Sequence, residues 1–217
     1  MIVFLLINED SVMGIKGLQD RMKPSVYGVG YLGGNLELKS TYNGKKCNIY
    51  TQWKNMIERC YNEKFHQRQP TYEGCTVSDE FKDYSKWREW YDNYQYKQDD
   101  WHLDKDLLVK GNKVYSEDYC VFLPKEINSV LTKRTALRGE YLIGVCWHNT
   151  NKAFVAKVNK NKGNPEWLGS FNTEIEAFNA YKQSKESYIK ELADKYKDIL
   201  DPRAYEALYN YTVDVDD

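Results

Sequence analysis

The chain has 217 residues, 29% of them charged and 41% hydrophobic, with a formal net charge of -1. That length allows one large domain or two small ones, and that balance excludes a disordered chain. The near-neutral total excludes a uniformly basic nucleic-acid binder, but it conceals an asymmetry. Between Ser129 and Ser170 there are seven Lys or Arg against two Glu; from Phe171 onward there are six basic against eleven acidic residues.

The opening run IVFLLI is six apolar residues without a basic leader, too short for a membrane span or a signal peptide. It reads as a strand, or as an extension upstream of Met13. Residues 1–48 form an N-terminal extension to which no chemistry is assigned. Its segment YGVGYL is expected as a short strand, and no helix follows its glycines to make a phosphate-binding loop. Five cysteines without a CxxC pair are expected as reduced thiols of a cytoplasmic protein, most of them buried.

From Asn48 the pattern turns helical. Trp53, Met56, Ile57, Cys60 and Tyr61 recur at i, i+3, i+4, i+7 and i+8, with Asn48 as the cap. The stretch FHQRQPTYEGCTVSDEF, broken by Pro70 and Gly74, is expected as a loop. Ser78 or Asp79 then caps one second helix, EFKDYSKWREWYDNYQ, with Phe81, Tyr84, Trp87 or Arg88, and Tyr91 along one face.

Between Asp99 and Asn128, two β-prone runs flank a Gly-Asn turn and KEINSVL opens a helix. Strand, loop, strand and helix would gather Asp104 and Asn128 into one cleft, two hard oxygen donors suited to Mg²⁺ or Mn²⁺. The alternative is a set of ordinary solvated turn residues between strands. SVLTKRTALRGE follows as a basic linker, with a domain boundary near residue 135.

The last third alternates with period two. YLIGVCWH, KAFVAKVN and PEWLGSF are three strands joined by polar turns, and a long helix begins at TEIEAF with Asn172 or Thr173 as cap. The expected fold class is therefore α+β: a helical and ββα region, then a three-stranded antiparallel sheet packed on one helix. Val145, Trp147, Phe154, Ala156, Val158, Leu168 and Phe171 would face that helix. Gly144, Cys146, His148, Val155, Lys157, Asn159, Trp167 and Gly169 would take the opposite face. A short helix after Pro202 and an acidic tail complete the chain, with Tyr205, Leu208 and Tyr209 covering a core edge.

Two resemblances attach to these patterns. The Asp99–Asn128 stretch resembles the HNH (ββα-metal) nuclease motif of phage homing endonucleases. LDKD stands where that family writes VDHxD, KGNKVYS matches the loop, and YCVFLPKEIN matches NLRWVTxxxN at equal length. This implies a nuclease-like domain over 49–134 with Asp104 and Asn128 as metal ligands. Lys105 falls on the position of the family's catalytic His, and Tyr119 on that of the middle Asn. His102, two residues before Asp104 and on the same strand face, could supply the imidazole.

The segment from about 138 to 193 resembles the plant ethylene-response-factor type of DNA-binding domain, through GVCW, AFVAKV, WLGSF and TEIEAFNAY. This implies a DNA-binding domain over 135–217 whose open sheet face enters the major groove of double-stranded DNA. Arg138, His148, Lys152, Lys157, Lys160, Lys162 and Trp167 are the corresponding contacts. The family's first-strand arginines are replaced by Cys146 and His148, which favours backbone contact through lysines over base readout. The leading expectation is a phage-type endonuclease. The alternatives are a DNA-binding protein without catalysis and a factor that binds and inhibits a host protein.

Overall fold

A computed structural model of the chain describes residues 9–132, 140–160 and 165–215. The expected N-terminal strand, Arg138 and Lys162 lie outside these residues. The architecture is mixed α+β with four small sheets among the described residues. None of the described helices is long and apolar enough to cross a membrane.

A helix, α1 (Glu9–Arg21), precedes the Gly-rich stretch. The guanidinium of Arg21 donates to the carbonyls of Leu32, Gly33, Asn35 and Leu38, which fastens the following loop. YGVGYL is not a strand. Tyr27 and Gly28 take φ of 50° and 75°, reversing the chain so that Val26 and Gly30 bridge each other. The hairpin of β1 (Thr41–Tyr42) and β2 (Lys45–Lys46) turns through Asn43 and Gly44, both at positive φ, as a two-residue hairpin loop requires.

Helix α2 (Asn48–Tyr61) buries Trp53, Met56, Ile57 and Cys60, the expected stripe. Its cap is Cys47 rather than Asn48. The expected loop beyond it contains α3 (Glu63–Arg68), a single 3-10 turn at Pro70–Tyr72 and β3 (Thr76–Val77). Each is too short to leave a periodic signal.

The expected single helix after Ser78 is two, α4 (Asp79–Lys82) and α5 (Tyr84–Asn93). The break has a tertiary cause. The backbone of Tyr31 donates to the Lys82 carbonyl and accepts from the Tyr84 N–H, which removes both groups from a continuous helix. Asp83 takes extended angles there and caps α5 through the N–H groups of Ser85 and Lys86. Phe81, Tyr84, Trp87 and Tyr91 are buried, and Trp53 Nε1 donates to the Phe81 carbonyl at 2.7 Å. Removing each such ring from water stabilises the fold by about 2–3 kcal/mol.

Next come β4 (His102–Asp104), β5 (Val114–Tyr115), β6 (Val121–Leu123) and α6 (Lys125–Leu131). β4 pairs antiparallel with β6, whereas β5 pairs parallel with β3. The sheet of β7 (Val145–His148), β8 (Ala153–Val158) and β9 (Glu166–Phe171) is antiparallel in the order β7-β8-β9. It precedes α7 (Glu174–Tyr196), opened by a Thr173/Glu176 capping box, and α8 (Pro202–Tyr209).

Two compact units result: Met1–Gln95 with Val109–Cys120, and Tyr96–Leu108 with Val121–Asp217. Residues 49–134 are thereby shared between them. Helices α2 to α5 with β3 and β5 belong to the first unit; β4, β6 and α6 belong to the second, with the three-stranded sheet.

In the second unit Ala156, Val158, Ala177, Phe178, Tyr181 and Val213 form a buried cluster, with Val145, Phe154, Leu168 and Phe171 packed against it. Two positions differ from expectation in their exposure. Trp147 is 39% exposed rather than buried, its ring set edge-on to Phe154 at 4.9 Å. Val155, expected on the open face, is fully buried there. Gly144 takes φ of 78°, and a Cβ on it would lie 2.1 Å from the Tyr181 ring. Only glycine lets β7 lie this close to α7.

Candidate functional site

β6 is apolar throughout, and Val121, Phe122 and Leu123 are all buried. Its pairing sets the register of the partner strand, in which His102 stands opposite Leu123 and Asp104 opposite Val121. Pro124 then starts α6 at once, and Asn128 lies in the first turn of that helix. The result brings Asn128 Nδ2 to 3.2 Å from Nδ1 of His102. Asp104, two residues along the same strand, shares the His102 face. Strand, strand and helix therefore meet at one exposed imidazole and one half-buried amide.

The His102–Asn128 contact has two chemical readings. With the amide N–H donating to Nδ1, a neutral ring carries its proton on Nε2. With the amide turned over, Nδ1–H donates to Asn128 Oδ1 and Nε2 offers a lone pair.

Asp104 Oδ1 accepts the backbone N–H groups of Asp106 (3.0 Å) and Leu107 (2.8 Å), which closes the turn after β4. Burial, and then the neighbouring Asp106 carboxylate, raise the Asp104 pKa to about 6, against the lowering effect of those two N–H groups. The site is a half-buried carboxylate beside a second negative charge, an arrangement that a cation would relieve. Lys105 is 8% exposed, and its ammonium pairs with Asp106 at 3.3 Å. Asn112 is occupied locally, its amide bonded to the backbone of Val114.

The donors here, a carboxylate and an amide oxygen, are the hard type that suits Mg²⁺ or Mn²⁺. Among the described residues no group of three or more His, Cys, Asp or Glu is gathered where it could hold a metal ion. Sequence reasoning missed Asp106 as the group that perturbs Asp104. The pattern DKD carried that signal, because a carboxylate two residues away lies within a turn's reach.

The second candidate surface is the open face of the three-stranded sheet. Across β8 and β9 the register slips: Ala156 pairs with Gly169 but Lys157 with Trp167, leaving Leu168 as the extra residue of a bulge. The bulge lets Leu168 and Phe171 both point to the core although they are three apart. It also sends Trp167 and Ser170 to the open side, and it puts Gly169, expected on the open side, in register with the core residue Ala156.

On that face Trp167 is 49% exposed and Lys157 is exposed, with its Nζ 5.7 Å from the centre of the indole. His148 reaches Trp167 from the other edge strand, ring centres 6.3 Å apart and nearly perpendicular. Val155 on the strand between them is buried. Lys152 is exposed in the β7–β8 turn at φ of 47°. Lys160 is half-buried and pairs with Glu166 at 2.9 Å, which diminishes it as a free cation.

No protein-family model, curated protein or solved structure matches this chain at a significant level.

Proposed function

We propose that the chain grips double-stranded DNA with the open sheet face and cuts one phosphodiester strand at the His102–Asp104–Asn128 site with a divalent metal. The observation that carries this reading is the 3.2 Å contact between His102 and Asn128 across β4 and α6, with Asp104 on the same strand face. Asp104 and Asn128 Oδ1 would hold Mg²⁺ or Mn²⁺, which supplies the positive charge that polarises the scissile phosphate. Two protein ligands suit Mg²⁺, which keeps several waters and takes phosphate oxygens as further ligands. His102 Nε2 takes the proton of the attacking water. That role needs Nδ1–H donated to Asn128 Oδ1, whose second lone pair stays available to the cation. Lys157, Lys152 and His148 contact the backbone phosphates, and Trp167 lies flat against the groove wall beside Lys157.

A second reading is a DNA-binding protein without catalysis. It is favoured by Lys105, which stands at the expected histidine position and is committed to Asp106. Supercoiled plasmid incubated with Mg²⁺ or Mn²⁺ separates the two. Nicked or linear product that disappears in Asp104→Ala and in His102→Ala supports cleavage. Salt-sensitive DNA retention without nicking under either metal sinks cleavage and leaves the binder.

A further inference from the structure

α7 packs against two different parts of the second unit. Near its start Ala177, Phe178 and Tyr181 are buried against Ala156 and Val158 of the sheet. Further along it holds α6. Lys185 Nζ donates to the Val130 carbonyl at 2.8 Å, while Lys195 Nζ (2.5 Å) and the Tyr196 hydroxyl (3.0 Å) both donate to Glu126 Oε2. The Tyr196 ring also meets Trp101 edge-on at 6.4 Å, one residue before β4 begins.

The two anchors are placed with consequence. Glu126 and Val130 lie two residues before and two residues after Asn128. Contacts at both positions fix the rotation and the axial height of α6, and so the position of the Asn128 amide against His102. None of these anchoring side chains touches His102, Asp104 or Asn128 in any bond described above; they act through the helix.

We infer that α7 is a rigid spacer and that Glu126 and Lys185 are positioning residues: together they set one fixed offset between the DNA gripped by the sheet and the bond that is cut. This rests on the cleavage reading above. The 23 residues of α7 span about 35 Å at 1.5 Å per residue, the length of about one duplex turn. From the middle of the sheet seat to the middle of the α6 seat is about 17 Å by the same rise, the height of about five base pairs. Cleavage therefore falls at a single position within one turn of the sheet's footprint.

The test uses the full chain with Cys47→Ser. Spin labels are placed on the exposed native Cys146 of the sheet and on Ser129→Cys of α6. One narrow label-to-label distance is expected, and a broad or multiple distribution in Glu126→Ala/Lys185→Ala. The exposed Glu126–Lys195 ion pair contributes little alone, which is why it is removed together with the Lys185–Val130 bond; Glu126→Gln/Lys185→Met is the milder second variant. On an end-labelled duplex selected for binding by the full chain, the parent should nick at one position. Either double variant should spread the nicks over several base pairs while retention on DNA keeps its salt dependence. A broad distance in the parent, or an unchanged distance and nick position in both variants, overturns the inference. A narrow distance that broadens in the variants, with no nicking by the parent, upholds the spacer and sinks the cleavage reading instead.

Discussion

Asp104→Asn separates the two roles of this carboxylate. The side chain is held at a pKa of about 6 against an ordinary 3.8, so its proton is bound more tightly in the folded protein than in the unfolded chain. Protonation then favours folding, and the stability contributed by this group falls as pH rises from about 4 through 6. At pH 7.5 the gap corresponds to about 3 kcal/mol of destabilisation by the ionised carboxylate, an upper bound because part of it comes from the neighbouring Asp106 charge. Asparagine keeps an Oδ1 for the Asp106 and Leu107 N–H groups but carries no charge. Asp104→Asn should therefore stabilise the second unit by about 1–3 kcal/mol at pH 7.5, with the gain shrinking to about 1 kcal/mol or less at pH 4.5. Urea unfolding of parent and variant at the two pH values, with chelator present, measures this. Repeating it with Mn²⁺ should stabilise the parent at pH 7.5 and leave the variant unmoved. A variant less stable than the parent at pH 7.5 in chelator would refute the reasoning, because the carboxylate would then be held by a partner charge rather than strained by burial.

Other outcomes follow from the same structure. Gly144→Ala places a methyl 2.1 Å from the Tyr181 ring at φ of 78°; the second unit should lose on the order of 3 kcal/mol or more. A loss below about 1 kcal/mol in urea would mean that β7 and α7 are not in contact as described. Lys157→Glu should weaken DNA retention and reduce the slope of log affinity against log salt by about one, with unchanged circular dichroism; an unchanged slope would make the open sheet face idle. Trp53→Ala, which removes a fully buried ring and its bond to Phe81, should cost the first unit about 3–5 kcal/mol in denaturant unfolding.

Local pattern determined much of this protein. The spacing of Trp53, Met56, Ile57 and Cys60 specified α2 and its buried stripe, because a 3.6-residue period has one way to hide four apolar side chains. Thr173 and Glu176 specified the start of α7 in the same local manner, through a reciprocal pair of bonds within one turn. Period-two alternation specified the three strands and most of their inward residues. What sequence could not determine came from contacts between distant segments. The break at Asp83 exists because Tyr31, fifty-two residues earlier, takes the backbone bonds of Lys82 and Tyr84. The bulge between β8 and β9 decided which residues of WLGSF face out, since a register slip is a property of two strands and not of one. The pairing of His102 with Asn128 and the anchoring of α6 on α7 likewise depend on separations of 26 to 70 residues. A single segment carries no record of such partners; they are chosen when the apolar faces that each segment does encode are buried together.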